Sequence, residues 1–161
     1  MSHNSNIITE AHVIAKQQAW AENIVQIGNA YVNKQDFKSL AIKHLDELYA
    51  YEFGNVLFKP TLASEKQFRT TYAEALSYFI GGHSEEDSGF ALKPWQKIRF
   101  DKPNIIIAVD HAIAMGNYFF TALGSASELK VEYTFVYIND NQGNLRIITH
   151  HSSLPYNPGS L

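Results

Sequence analysis

The sequence predicts an α+β fold, because two kinds of hydrophobic periodicity occupy different parts of the chain. Up to about residue 80, apolar residues recur every three to four positions, as they do on the buried face of a helix. After Pro94 the period becomes two, in runs rich in β-branched and aromatic residues, which is typical of strands. We therefore expect N-terminal helices packed on a curved, mostly antiparallel sheet.

The first two helices have clear start signals. Thr9 can cap the N-terminus of a long amphipathic helix that extends to about Asn33. Asp36 can cap a second helix, which should end before Gly54. The buried face of this second helix would carry Phe37, Leu40, Leu45 and Leu48.

A short strand and a third helix are expected next. Residues 55–58 read as a strand that stops at Pro60. Ser64 and Gln67 have the spacing of a capping box, which predicts that a third helix begins there and ends at Gly81. Its apolar stripe would consist of Phe68, Tyr72, Ala75 and Phe79.

The remainder of the chain reads as a loop followed by strands. Residues 83–93 are polar and contain glycine, so we expect a surface loop in which the acidic run 85–87 is solvated. The predicted strands are 98–100, 105–110, 112–121, 131–138 and 145–152. Residues 140–143 form a hairpin turn between the last two of them. Trp20 and Trp95 are predicted to be buried anchors of the core.

Length and composition indicate one globular domain, which we expect over residues 9–161 after a flexible or disordered segment of residues 1–8. Hydrophobic residues make up 45% of the chain, and the net charge of -3 gives no reason to expect a nucleic-acid partner. No apolar run approaches the roughly 20 residues that cross a bilayer, and the polar start is unlike a signal peptide. The expectation is a cytoplasmic protein with no membrane partner.

The types and spacing of potential ligands disfavour a metal site. The chain has no cysteine, so a zinc site would need histidines and carboxylates. His150 and His151 are adjacent, and adjacent side chains of a regular strand point to opposite faces of the sheet. Only a β-bulge would change this, and nothing in the sequence indicates one. We expect neither a metal nor a cofactor.

The last predicted strand ends with two histidines followed by two serines. In a regular strand His151 and Ser153 share one face, while His150 and Ser152 share the other. An imidazole titrates near neutral pH, and a hydroxyl can donate to an anionic oxygen or accept from a bound water. The face of His151 and Ser153 is therefore a candidate site for proton transfer, although such pairs are more often purely structural.

Three features together resemble the iota-class carbonic anhydrases. They are the order of helices followed by a hairpin sheet, the segment Phe58-Lys59-Pro60-Thr61, and the ending His150-His151-Ser152-Ser153-Leu154-Pro155. The resemblance covers nearly the whole chain from about residue 9. It implies the cone fold of the nuclear-transport-factor-2-like superfamily, to which the calcium/calmodulin-dependent kinase II association domain is also related. It further implies metal-free hydration of CO2 to bicarbonate, in a pocket between the helices and the concave face of the sheet.

The resemblance also implies which residues surround the bicarbonate. Matched by motif, the candidate catalytic and substrate-binding residues are Thr61, Tyr78, His151 and Ser153. Tyr72 is the alternative to Tyr78, and Tyr118 is a further residue expected to line the pocket. His151 would accept the proton of the attacking water, or would relay a proton carried by a hydroxyl. The sequence leaves both assignments open.

Two other functions fit the predicted fold. One is a non-catalytic module for oligomerisation or small-anion binding, of the kinase association-domain type. The other is a cyclase or isomerase for a larger apolar substrate, which would require a carboxylate base inside the cone. The sequence pattern places no Asp or Glu clearly at such a position. With 13% aromatic residues, a homodimer or larger homo-oligomer formed through the outer face of the sheet is expected both for the carbonic anhydrase and for the non-catalytic module.

Overall fold

The computed structural model describes residues 7–161, and residues 1–6 of the expected flexible segment lie outside the described residues. The helices are α1 (Glu10–Val32), α2 (Phe37–Leu48) and α3 (Tyr72–Ile80). The strands are β1 (Leu57–Lys59), β2 (Trp95–Phe100), β3 (Asn104–Ile107), β4 (His111–Ala122), β5 (Glu128–Asn139) and β6 (Leu145–Ser153). Ile8, which was expected in the flexible segment, is buried in the core. The proposed start of the domain at residue 9 stays a prediction.

Helices α1 and α2 begin at the predicted caps. The Thr9 hydroxyl accepts a hydrogen bond from the backbone N–H of His12 at 3.2 Å. The Asp36 carboxylate accepts one from the backbone N–H of Ser39 at 3.1 Å. Each bond satisfies an N–H group at the helix start that has no partner within its own helix. Because both partners lie within three positions of each other, the local sequence pattern is sufficient to predict where each helix begins.

Helix α3 begins at Tyr72, so the prediction of a start at Ser64 is wrong. The cap is Thr71, whose side chain accepts from the first turn of the helix. The hydroxyl and backbone N–H of Ser64 instead donate to Glu86, at 3.1 and 3.0 Å. Phe68, expected on the buried stripe, is 65% exposed. Ser64, which the capping-box spacing had assigned to a helix start, thus hydrogen-bonds to a residue 22 positions away in sequence.

That partner belongs to an ion cluster around Arg69, whose side chain is fully buried. Arg69 forms ion pairs with Asp87 at 2.7 Å and with Glu86 at 3.1 Å. The backbone N–H groups of Glu65, Lys66 and Ser64 also donate to Glu86 and lower its pKa to about 2. The prediction that the acidic run 85–87 is solvated is therefore wrong for Glu86 and Asp87, which both pair with Arg69. The cluster joins the loop after β1 to the loop after α3.

The strands form one sheet in the order β1-β6-β5-β4-β2, and β3 pairs with the part of β4 that β2 leaves free. All pairs are antiparallel except β1 with β6, so the predicted mostly antiparallel sheet is confirmed. The predicted hairpin turn is present: the Asp140 carboxylate accepts from the backbone N–H groups of Gln142 and Asn144, at 2.8 and 2.9 Å.

The core lies between the helices and one face of this sheet. Trp20 and Trp95 are buried in it, as predicted. The sheet contributes a dense aromatic layer that consists of Tyr118, Phe120, Tyr133, Phe135 and Tyr137. Within residues 7–161, no helix has the length and apolar character required to cross a membrane.

Candidate active site

A bulge in β6 decides which of its side chains face the helices. Ile147 pairs with Tyr137, whereas Thr149 pairs with the neighbouring Val136, so Ile148 is an extra residue on this strand. An extra residue shifts the alternation of side chains by one position. Consequently the buried residues of β6 are odd-numbered before the bulge and even-numbered after it.

The bulge overturns the expected orientation of the strand end. His151 and Ser153 do share a face, but it is the outer one: His151 is exposed, and the Ser153 hydroxyl donates to Glu132 at 3.0 Å. His150 and Ser152 point into the protein and are each 1% exposed. The expectation that His151 and Ser153 line the pocket is therefore wrong. Regular alternation was assumed, and it fails at Ile148.

His150 and Ser152 line a small cavity between the sheet and the helices. Its volume is about 10 Å³, which is room for about one water molecule. The polar lining consists of Thr61, Tyr78, Tyr118, His150 and Ser152. Apolar lining comes from Trp20, Phe58, Pro60, Phe79 and Phe90. The cavity thus combines a few polar groups with apolar walls, the usual character of a small-molecule site.

Three of the residues expected at the site lie at this cavity. Thr61, Tyr78 and Tyr118 all line it. Tyr72 instead lines a separate depression together with Asp46. Of the two alternatives for the pocket tyrosine, the geometry therefore favours Tyr78.

Aromatic packing holds the His150 ring in place. The ring lies between Phe135 and Phe58, with centroid distances of 4.1 and 5.0 Å and nearly parallel planes. Phe58 can reach it because β1 runs parallel to β6 and pairs Phe58 with His150. The segment that follows β1 then places Thr61 beside Ser152. Residues about 90 positions apart in sequence are brought together by this one parallel pairing.

Five polar side chains form a continuous hydrogen-bond chain, which we call the Tyr49–Thr61 chain. Tyr49 bonds to His150 Nδ1 at 2.9 Å, and His150 Nε2 bonds to the Tyr118 hydroxyl at 3.1 Å. The Tyr118 hydroxyl donates to Ser152, whose hydroxyl lies 2.6 Å from that of Thr61. The chain therefore connects a buried imidazole with the wall of the cavity.

Sequence reasoning missed Tyr49, which is the member farthest from the cavity. It lies just after α2 and is 1% exposed, and its hydroxyl accepts a hydrogen bond from Trp20 Nε1 at 2.9 Å. No local pattern distinguishes this tyrosine from an ordinary core aromatic. Only the packing of α1 and α2 against β6 brings Trp20, Tyr49 and His150 together.

Burial keeps the groups around the cavity neutral. Loss of solvation lowers the pKa of His150 well below its usual value, and the nearby His44 and His151 lower it further. Burial likewise raises the pKa of the Tyr49, Tyr78 and Tyr118 hydroxyls. At neutral pH the site therefore presents neutral hydrogen-bond donors and acceptors. Within the described residues 7–161, there is no group of three or more His, Asp or Glu side chains placed to hold a metal ion.

Known proteins similar to this chain point to one family. The family model described as metal-independent carbonic anhydrase matches residues 11–154. A metal-independent carbonic anhydrase from Nostoc sp. is 48% identical over an alignment of 155 residues, and the match covers 92% of this chain and 75% of the relative.

Solved structures agree with this result. A crystal structure of the iota-carbonic anhydrase from a cyanobacterium, complexed with bicarbonate, has a TM-score of 0.92 and 44% identity and covers 98% of both chains. A putative dehydratase of the NTF2-like family from Streptomyces avermitilis has a TM-score of 0.62 at 12% identity, covers 91% of this chain and 96% of its own, and supports the cone fold alone. The chain belongs to the metal-independent carbonic anhydrase family.

Proposed function

We propose that this chain is an iota-class carbonic anhydrase, a lyase that interconverts CO2 and bicarbonate without a metal in the cavity beside His150. The observation that carries the proposal is the Tyr49–Thr61 chain, which connects that imidazole with a cavity of about the size of one water molecule. Membership of the metal-independent family supports it, as does the likeness to a structure that holds bicarbonate.

The reaction requires a group that takes a proton from water. When water attacks CO2, a C–O bond forms, an O–H bond of the water breaks, and the products are bicarbonate and a proton. In the proposal Thr61 takes this proton and passes its own to Ser152, Ser152 passes its own to Tyr118, and Tyr118 passes its own to His150 Nε2, the final acceptor. His150 then loses the proton to solvent. Proton transfer of this kind contributes a factor of about 10² to 10⁴ to a rate.

The same hydroxyls stabilise the product. Bicarbonate carries a negative charge that was absent in CO2, so donors aimed at its oxygens favour the transition state that leads to it. The Tyr78 oxygen already accepts from the backbone N–H of Leu62 at 3.2 Å, which leaves its own proton for an oxygen in the cavity. Because bicarbonate is larger than the water-sized space, the side chains of the wall must shift when it binds.

The proposal moves two roles by one residue along the strand. His150 and Ser152 take the parts that sequence analysis had expected of His151 and Ser153, because they are the pair that lines the cavity. Thr61 and Tyr78 keep their expected parts, and Tyr118 joins them as a member of the proton path. Tyr72 has no part in the proposal.

Neighbouring residues of β6 provide matched controls for the experiment. We expect His150→Gln and Ser152→Ala to lower the rate of CO2 hydration, measured by stopped flow with a pH indicator, by about 10²-fold or more. His151→Gln and Ser153→Ala make the same chemical changes on the outer face and should leave the rate within about twofold of the original protein. All proteins are treated with a chelator and dialysed before the measurement.

Each outcome decides a different point. If the chelator abolishes hydration, the metal-free mechanism is wrong. If the outer pair proves essential and the inner pair dispensable, the cavity is not the active site. If no preparation hydrates CO2, the enzyme proposal fails, and the alternative of a non-catalytic oligomerisation or anion-binding module is favoured.

We also propose that the protein is a homodimer formed through the outer face of the sheet, and that it is cytoplasmic. The outer face presents apolar side chains in adjacent strands, with Ile106, Ile113 and Val136 in one row and Met115 next to it. Sedimentation of the original protein and of Met115→Lys tests the dimer, which should weaken in the variant. Cell fractionation tests the location.

A further inference from the structure

Trp20 and Tyr49 form a buried hydrogen-bonded pair at Nδ1 of the His150 ring, whereas the other ring nitrogen, Nε2, bonds to Tyr118. Trp20 Nε1 donates to the Tyr49 hydroxyl at 2.9 Å, and that hydroxyl lies 2.9 Å from His150 Nδ1. Both side chains are at most 2% exposed. An indole N–H can only donate, so the direction of the first of these hydrogen bonds is certain.

This direction determines where the Tyr49 proton lies. A hydroxyl has one proton to donate, and the Tyr49 oxygen already accepts from Trp20. Among residues 7–161, the acceptor within hydrogen-bond distance of that proton is His150 Nδ1. If Nδ1 carried a proton of its own, the buried Tyr49 proton would lose its acceptor, which is unfavourable. Neutral His150 is therefore protonated at Nε2.

The direction continues from His150 to the cavity. A proton on His150 Nε2 is donated to the Tyr118 oxygen, so the Tyr118 proton is donated to Ser152. The Ser152 proton is then donated to Thr61, since the Ser152 oxygen is already an acceptor. The Thr61 hydroxyl also lies within hydrogen-bond reach of Tyr78 on the cavity wall, so its proton is directed to the cavity side, where a bound anionic oxygen would accept it. Donor–acceptor chains of this kind also strengthen one another.

We propose that Tyr49, polarised by Trp20, is a positioning residue that holds His150 in the Nε2–H tautomer and thereby orients every proton of the chain towards the cavity. The consequence of this inference rests on the proposed function: with its protons directed towards the cavity, the chain is in the orientation that binds bicarbonate. Hydration requires the opposite orientation, because His150 Nε2 can accept a proton only when Nδ1 carries one. Each hydration cycle therefore includes a change of the His150 tautomer.

The ring nitrogens of His150 report the tautomer directly. In protein labelled with ¹⁵N-histidine, we expect His150 to show one tautomer, protonated at Nε2, with its signals assigned by their loss in His150→Gln. In Tyr49→Phe the reason for this preference is removed, and we expect a mixture of both tautomers. If about half of the molecules then have the binding orientation, the Kd for bicarbonate, measured by titration, rises about twofold.

Tyr133→Phe is the matched control. Tyr133 is also a buried tyrosine, but its hydroxyl accepts from Gln17 at 3.3 Å and does not contact His150. We expect this variant to keep the single tautomer and the original Kd.

Protonation of His150 at Nδ1 in the unmodified protein would overturn the inference, even if the variant cannot be prepared. A single Nε2–H tautomer in Tyr49→Phe, or an equal shift in Tyr133→Phe, would also overturn it. Absence of bicarbonate binding to the unmodified protein would count against the proposed function, while the nitrogen signals would still decide the role of Tyr49.

Discussion

Two buried histidines should make the stability of this protein depend on pH between about 8 and 5. His44 is fully buried with both ring nitrogens unpartnered, and His150 is 1% exposed. Burial lowers the pKa of His44 to about 3 and lowers that of His150 well below its usual value. In the unfolded chain each imidazole has a pKa of about 6.5. Because the folded pKa values are the lower ones, the stabilisation is fully present above that value and is lost as the pH falls.

The size of the effect follows from the unfolded state. At about pH 5 each unfolded histidine gains about 2 kcal/mol by protonation, while the folded imidazoles remain neutral. The free energy of unfolding should therefore fall by about 4 kcal/mol between pH 8 and pH 5. Urea titrations at both pH values measure it. Below this range the low pKa of Glu86 adds a separate loss, so more acidic conditions are avoided.

His44→Leu separates the two contributions. This variant removes a buried imidazole that lacks hydrogen-bond partners, so we expect it to fold at pH 8 and to show a pH effect of only about 2 kcal/mol. His12→Gln, which replaces an exposed imidazole on α1, controls for the loss of a histidine as such. Burial of the two neutral imidazoles is not the source of the pH dependence if the unmodified protein loses less than about 1 kcal/mol, or if His44→Leu keeps the full effect.

Two further predictions concern the framework around the site. Arg69→Met leaves the Asp87 carboxylate without its buried partner and should lower the free energy of unfolding by about 3 to 5 kcal/mol. Urea titration measures this loss. An unchanged urea midpoint would mean that the ion pair does not hold the two loops together. In Gly28→Ala the new methyl group would lie 2.9 Å from the carbonyl oxygen of Ala91, so we expect the free energy of unfolding to fall by about 1 to 3 kcal/mol, seen as a lower Tm. Gly124→Ala is the comparison, because that residue has open space around it and tests the strain of a positive φ alone.

The elements that sequence analysis predicted correctly depend on interactions between residues close in the chain. Thr9 and Asp36 cap helices through bonds to residues three positions away. The turn at Asp140 is built by bonds to residues two and four positions away. Such signals lie within a few residues of sequence, so a local pattern is enough to locate them.

The incorrect prediction for Ser64 and the missing one for Tyr49 concern residues whose partners are distant in sequence. Ser64 has the spacing of a helix cap, but Glu86 takes its hydrogen bonds. Tyr49 has no distinguishing local pattern, and it reaches His150 across 101 positions. In the first case Glu86, which is paired with the buried Arg69, lies where it accepts hydrogen bonds from Ser64 and the two residues after it. In the second case the buried Tyr49 hydroxyl needs a partner, and only the tertiary structure provides one.

The sequence by itself determined that the fold is α+β, which family the chain resembles, and that a short polar ending is the candidate for the chemistry. Only the tertiary structure decided which half of that ending faces the cavity. Regular alternation selects His151 and Ser153, whereas pairing with β5 inserts Ile148 as an extra residue and turns His150 and Ser152 inward. A bulge is defined by how two strands pair, and the sequence of one strand alone does not specify that pairing register.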